Sequence, residues 1–108
     1  MKRGDIVIAV AQGDYGKPRP AVVVQSDLFN ESHASIVVCL MSSELHDAPL
    51  FRITVHPSTE SGLKSVSQIM IDKVVALKRE RICEVIGTLD EATIITLNRS
   101  LALFMGIA

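Results

Sequence analysis

The hydrophobic pattern of this chain changes period once, and that change constrains the fold more than any other feature. As far as Gly87 the apolar residues arrive in short runs rich in Val and Ile, which is the pattern of β-strands. Beyond Gly87 the residues Ile94, Leu97, Leu101 and Phe104 recur at helical spacing. Many short strands followed by one helix favour a mainly β fold, a small and partly closed barrel with a C-terminal helix.

The runs divide at residues that punctuate structure. Residues 6–10 read as a buried strand, and 11–20, with two glycines and two prolines, as a loop. Residues 21–25 are a second strand and 35–41 a third. Phe51-Arg52-Ile53-Thr54-Val55 alternates apolar and polar, so it predicts a strand with one wet face. Residues 66–77 read as two short strands or one bent strand, with Asp72-Lys73 at the break, and 84–87 as a last strand. A short helical turn is placed near residues 78–81. Thr88-Leu89-Asp90-Glu91 has the form of a capping box, with Thr88 as N-cap, and Gly106 is a plausible C-cap.

The length of 108 residues fits a single domain spanning 1–108. The residues are 48% hydrophobic but only 4% aromatic, so the core must be aliphatic. No apolar run approaches the ~20 residues that span a bilayer. The start, Met1-Lys2-Arg3-Gly4-Asp5, lacks the features of a signal peptide. Cys39 and Cys83 are too few and too far apart for a disulfide framework or a metal motif, and both lie in apolar runs as expected core residues. These features point to the cytoplasm.

A net charge of −1 argues against binding nucleic acid over the whole surface. The charge is uneven, however. Lys2, Arg3, Lys17 and Arg19 fall within the first 25 residues against only Asp5 and Asp14, and the acidic residues gather later. A local positive groove is compatible with this. Within Gly16-Lys17-Pro18-Arg19-Pro20 each proline fixes its own φ and presses the preceding residue toward extended backbone. Both cations precede a proline, so both stand on backbone that is largely set before an anion arrives.

Five blocks of the chain carry a resemblance. They are Arg3-Gly4-Asp5-Ile6-Val7, then Gly16 to Val24, Val37 to Ser43, Ser67 to Lys73, and Ile86-Gly87-Thr88-Leu89-Asp90. In this order and register, over essentially the whole chain, they resemble the MazF/PemK toxins of type II toxin–antitoxin systems. The resemblance implies an SH3-like barrel with a C-terminal helix, usually a homodimer. It implies a metal-independent mRNA interferase without cofactor, which cuts single-stranded RNA and leaves a 2′,3′-cyclic phosphate and a 5′-hydroxyl. A cognate antitoxin protein is the implied inhibitor. The family's catalytic arginine matches Arg19 and its catalytic hydroxyl matches Ser42. Many relatives carry Pro-Leu-Thr where this chain has Leu40-Met41-Ser42, and Met70-Ile71 replaces an arginine that some relatives place before the residue matched by Asp72. A gyrase poison resembling CcdB is the alternative on the same fold, and an inactive RNA- or antitoxin-binding relative is another.

The chemistry is consistent with these residues. Cleavage through a cyclic phosphate uses the RNA's own 2′-OH as nucleophile. The protein must then stabilise the phosphorane and assist two proton transfers. Guanidinium presents a rigid fork of donors to phosphate oxygens but stays protonated, so Arg19 suits charge stabilisation rather than base catalysis, with proton donation to the leaving group as its second option. Ser42 would hydrogen-bond the scissile phosphate. Lys17, Lys73, Ser43 and the loop ring Tyr15 are the expected substrate contacts, with Tyr15 placed to stack on a base. Asp72 is a candidate base as well as a turn residue. His33, His46 and His56 are side chains of the right type for RNA transesterification, but all fall in or beside loops outside the matched blocks.

Overall fold

Alternation along the strands dictates two apolar layers. The computed structural model describes residues 1–13 and 16–107. Its strands are β1 (Asp5–Ala9), β2 (Arg19–Val23), β3 (Ser35–Ser42), β4 (Arg52–Val55), β5 (Ser67–Lys78) and β6 (Ile82–Thr88). They form one antiparallel six-stranded sheet in the order β4-β5-β3-β2-β1-β6. Ile6, Val22, Cys39, Met41, Ile69 and Ile71 turn to one side and are fully buried with Leu97 of the C-terminal helix. Val7, Ala21, Val23, Val38 and Ile36 turn to the other side and form a second cluster. Side chains alternate with a period of two, so each central strand feeds both layers.

The sheet is open rather than a closed barrel: among the described residues no ladder joins β4 to β6. A backbone crossing stands in the gap. The loop leaving β4 passes over β6, where the Thr88 N–H donates to the Glu60 carbonyl at 2.8 Å. Gly62 and Gly87 permit this approach. A Cβ on Gly62 would stand 2.0 Å from the Ile86 oxygen, and one on Gly87 would stand 2.2 Å from the Ser61 oxygen.

Residues 66–77 prove to be one bent strand. Cys39 pairs with Val74 but Met41 pairs with Ile69, so Met70–Lys73 bulge opposite Leu40. Asp72-Lys73 therefore sits at the bend, as the sequence suggests. The turn near 78–81 is a 3-10 turn, Arg79–Arg81. One element has no counterpart in the sequence reading: the short helix α1 (Asp27–Asn30), capped by Ser26, whose Oγ accepts from the Leu28 N–H.

The C-terminal helix α2 spans Glu91–Phe104. Its N-cap is Asp90, whose Oδ1 accepts from the Thr93 N–H at 2.7 Å, not Thr88. Thr88 is held by the sheet: it pairs with Asp5, and its hydroxyl donates to the Gly4 carbonyl. The C-terminus follows expectation. Gly106 has φ 75°, with its N–H on the Leu103 carbonyl and the Ile107 N–H on the Ala102 carbonyl, which is a Schellman motif. Leu97 is buried and Ile94 and Leu101 pack beside it. Phe104, the last residue of the helical stripe, is instead 45% exposed and packs edge-on against Phe51. Cys83, expected in the core, is instead exposed on the edge strand β6, where one face has no covering layer, whereas Cys39 is buried.

Arg3 and Gly4 at the start of the chain serve the fold. Arg3 Nε donates to the Val24 carbonyl and Nη1 to Asn98 Oδ1, so this side chain ties the end of β2 to α2. The Gly4 N–H donates to Val23.

Candidate active site

Arg19 is the first residue of β2 and Ser42 the last of β3. Their strands are antiparallel, with Ala21 opposite Leu40 and Val22 opposite Cys39. Continued by two residues, that register sets Arg19 across from Ser42 on one face of the sheet. An open cleft of about 210 Å³ forms there. It is lined by Lys17, Arg19, Ser42 and Ser43, with Pro18 and Pro20 beside the cations and Ser65 and Ser67 opposite.

Each polar group in the cleft has a local cause for its position. Arg19 is half-buried, and β1 pins its backbone through the Ala9 pairing. Pro18 and Pro20 restrict the chain on both sides of it. Ser42 Oγ accepts from the Glu44 N–H at 3.1 Å. That bond occupies a lone pair and leaves the hydroxyl proton free to donate outward. Ser67 is buried and donates to the Ser65 carbonyl at 3.0 Å. Lys17 and Ser43 are exposed at the rim.

The sequence-derived residues do not all converge. Arg19, Ser42, Lys17 and Ser43 share the cleft. Asp72 and Lys73 are exposed at the β5 bulge and do not line it. Tyr15 lies outside the described residues. His33, His46 and His56 are all exposed, and none lines the cleft. His46 has its own exposed neighbour, Glu44, at 3.6 Å.

Three contributors were not apparent from sequence. Ser65 and Ser67 precede or open β5, and a serine in a polar loop carries no signal of its own. Gln68 is the third. It is buried, pairs with Ser42 in the ladder, and grips the backbone of His46 in the loop that follows Ser42 and Ser43. A buried glutamine inside an apolar strand is the one signal that marks it in advance.

A bent antiparallel sheet that carries a C-terminal helix is an architecture shared with known proteins. A mycobacterial endoribonuclease solved in complex with its cognate antitoxin superposes with a TM-score of 0.83 at 19% identity, covering 100% of this chain and 97% of that one. A MazE–MazF structure from Deinococcus radiodurans gives 0.79 at 19% identity, covering 100% and 98%. In sequence, a protein named probable endoribonuclease MazF from Mycolicibacterium smegmatis is 42% identical over 109 residues, covering 100% of this chain and 99% of that protein. Endoribonuclease EndoA of Bacillus subtilis is 24% identical over 95 residues, covering 84% and 82%. The family described as PemK-like, MazF-like toxin of type II toxin–antitoxin system matches residues 2–105, and this chain belongs to it.

Proposed function

We propose that this protein is an endoribonuclease toxin that cuts single-stranded mRNA through the 2′-OH of the substrate, with Arg19 and Ser42 at its catalytic centre. The observation that carries the reading is their convergence on one cleft from separate strands. The 42% identical relative named as an endoribonuclease supports it.

In the proposed reaction the 2′-oxygen bonds to phosphorus and the P–O5′ bond breaks. The 2′-OH loses its proton and the leaving 5′-oxygen gains one. The products are a 2′,3′-cyclic phosphate and a 5′-hydroxyl. Arg19 places its donors on the phosphorane oxygens, and Ser42 donates a further hydrogen bond to the same group. Lys17 at the rim draws in the RNA backbone. Among the described residues no imidazole or carboxylate lines the cleft, so the reading places the weight of catalysis on preorganised charge rather than on a protein base. Ser43 meets the substrate at the rim, and Tyr15, Asp72 and Lys73 serve RNA flanking the cut. Arg19 supplies the positive charge that offsets the anionic phosphorane, so the proposed reaction needs no metal ion for that task.

The same reading makes the protein a cytoplasmic homodimer that a cognate antitoxin silences. Among the described residues no helix is long and apolar enough to cross a membrane. Leu103, Phe104, Met105 and Ile107 are exposed together at the end of α2, and a second copy would cover such apolar surface. Purified protein incubated with a long RNA in excess EDTA tests the activity. Cleavage should proceed and should vanish with Arg19→Ala; an intact RNA with folded wild-type protein would refute it.

A further inference from the structure

Two cavities share walls. Pro20, Ser65 and Ser67 bound the cleft at Arg19 and Ser42, and they also bound a second cavity of about 250 Å³. The second cavity runs on over Ile8, Leu63 and Ile86 and reaches Lys64 and Glu84. The pair therefore forms one groove, cationic and hydroxyl-rich at one end and aliphatic at the other.

The aliphatic end is built in advance. Its loop is pressed backbone-to-backbone onto β6 at Gly62 and Gly87. The buried Ser61 hydroxyl locks the same loop by donating to the His56 carbonyl and accepting from the Ser58 and Leu63 N–H groups. β1 and β6 fix the floor, where Ile8 lies opposite Glu84. Pockets for drug-sized ligands run to roughly 300–1,000 Å³, so this one suits a single flat group.

We infer that the second cavity is a base-recognition subsite, which takes the base of a nucleotide adjoining the phosphate held at Arg19 and Ser42, with Glu84 selecting bases that carry an amino group. The inference rests on the endoribonuclease reading and is continuous in space with the cleft that carries it. Ile8, Pro20 and Ile86 offer flat aliphatic surface to a base face, in a chain with few aromatic rings. The Glu84 carboxylate only accepts hydrogen bonds. It accepts from the exocyclic amino groups of cytosine, adenine or guanine. Uracil presents a carbonyl oxygen where cytosine has its amino group, and that oxygen faces the carboxylate unfavourably. Lys64 at the rim takes the next phosphate.

Wild-type, Glu84→Gln and Lys64→Ala proteins, given the same long RNA, test this by mapping of the 5′-hydroxyl ends. Wild-type protein should disfavour uridine at one fixed position beside the cut. Glu84→Gln supplies a donor, and uridine use at that position should rise roughly tenfold. Lys64→Ala should slow all sites alike with base preference unchanged. Glu84 is exposed and the substitution is isosteric, so the variant should keep the wild-type circular dichroism. If wild-type protein cuts and Glu84→Gln keeps the wild-type preference at every position, the subsite is refuted while the endoribonuclease reading stands. A wild-type protein that cuts no RNA refutes both.

Discussion

Gln68 holds His46 by both of its backbone polar groups. Its Oε1 accepts from the His46 N–H at 2.9 Å, and its Nε2 donates to the His46 carbonyl at 3.0 Å. Nε2 also reaches Thr54 Oγ1 on β4 at 3.3 Å. One buried amide thus ties the loop after Ser42 to both β5 and β4. Gln68 does not line the cleft, yet it pairs with Ser42 in the ladder and anchors the loop that follows Ser42 and Ser43.

The replacement Gln68→Met keeps the volume and removes every one of these bonds. Freed backbone groups can meet water, so the stability loss should be modest, about 1–2 kcal/mol. Cleavage should fall more, by ~10–100-fold in kcat with little change in KM, because small misplacements of a positioned donor are costly. Single-turnover cleavage alongside a thermal melt separates the two effects.

Arg19 and Ser42 should respond differently to conservative changes. Arg19→Lys keeps the charge but not the planar fork, so it should remain nearly inactive. Ser42→Ala should cost ~10²–10³ in rate, the usual loss for one preorganised donor. Ser42→Thr should retain activity, since the hydroxyl persists and χ1 is stiffer. All are read as initial rates on one RNA oligonucleotide.

The crossing at β6 predicts an ordering among glycine substitutions. Gly62→Ala and Gly87→Ala drive a methyl into backbone oxygen, at 2.0 and 2.2 Å. Gly13→Ala meets nothing within 4 Å and carries only the strain of φ 91°, about 1–2 kcal/mol. Melting temperature should therefore drop far more for the first two than for Gly13→Ala.

Two carboxylates have a lowered pKa in the folded protein. Hydrogen bonds from Thr93 hold the Asp90 pKa below its ordinary 3.8, and a hydrogen bond from the Arg3 backbone followed by one from Asn30 does the same for Asp27. Both therefore contribute stability above the unfolded pKa, and that contribution fades as pH falls through the lower folded values. Asp90→Ala should lower the melting temperature at pH 7, and its difference from wild type should shrink toward pH 3. A difference independent of pH would contradict the cap.

The thiols should separate cleanly. Burial pushes the Cys39 thiol up to about 12, while Cys83 is exposed. A thiol reagent at pH 8 should label one cysteine in the native protein and two only after unfolding.

Much of this was legible in the sequence, for identifiable reasons. The change of period beyond Gly87 marks α2, and the Val- and Ile-rich runs mark the strands. Arg19 and Ser42 stood out because they fall in matched blocks, and the β2–β3 register then brings them together. What local pattern could not supply is tertiary. Thr88 looks like a cap but is held by β1, and Asp90 takes the role. Phe104 fits the helical stripe yet stays half exposed, with the Phe51 ring as its edge-on neighbour. Cys83 sits in an apolar run on an edge strand with one uncovered face. Gln68, Ser65 and Ser67 matter only because β5 and its preceding loop pass beside β3.

The central claim, that the RNA's 2′-OH is the nucleophile, is tested most directly by one substrate change. An RNA oligonucleotide cut at a mapped site is remade with a single 2′-deoxynucleotide on the 5′ side of the scissile phosphate, and its cleavage is followed in EDTA. Cleavage should disappear at that bond, while the unmodified RNA yields a 2′,3′-cyclic phosphate. Cutting of the deoxy-substituted bond at an undiminished rate would contradict the account.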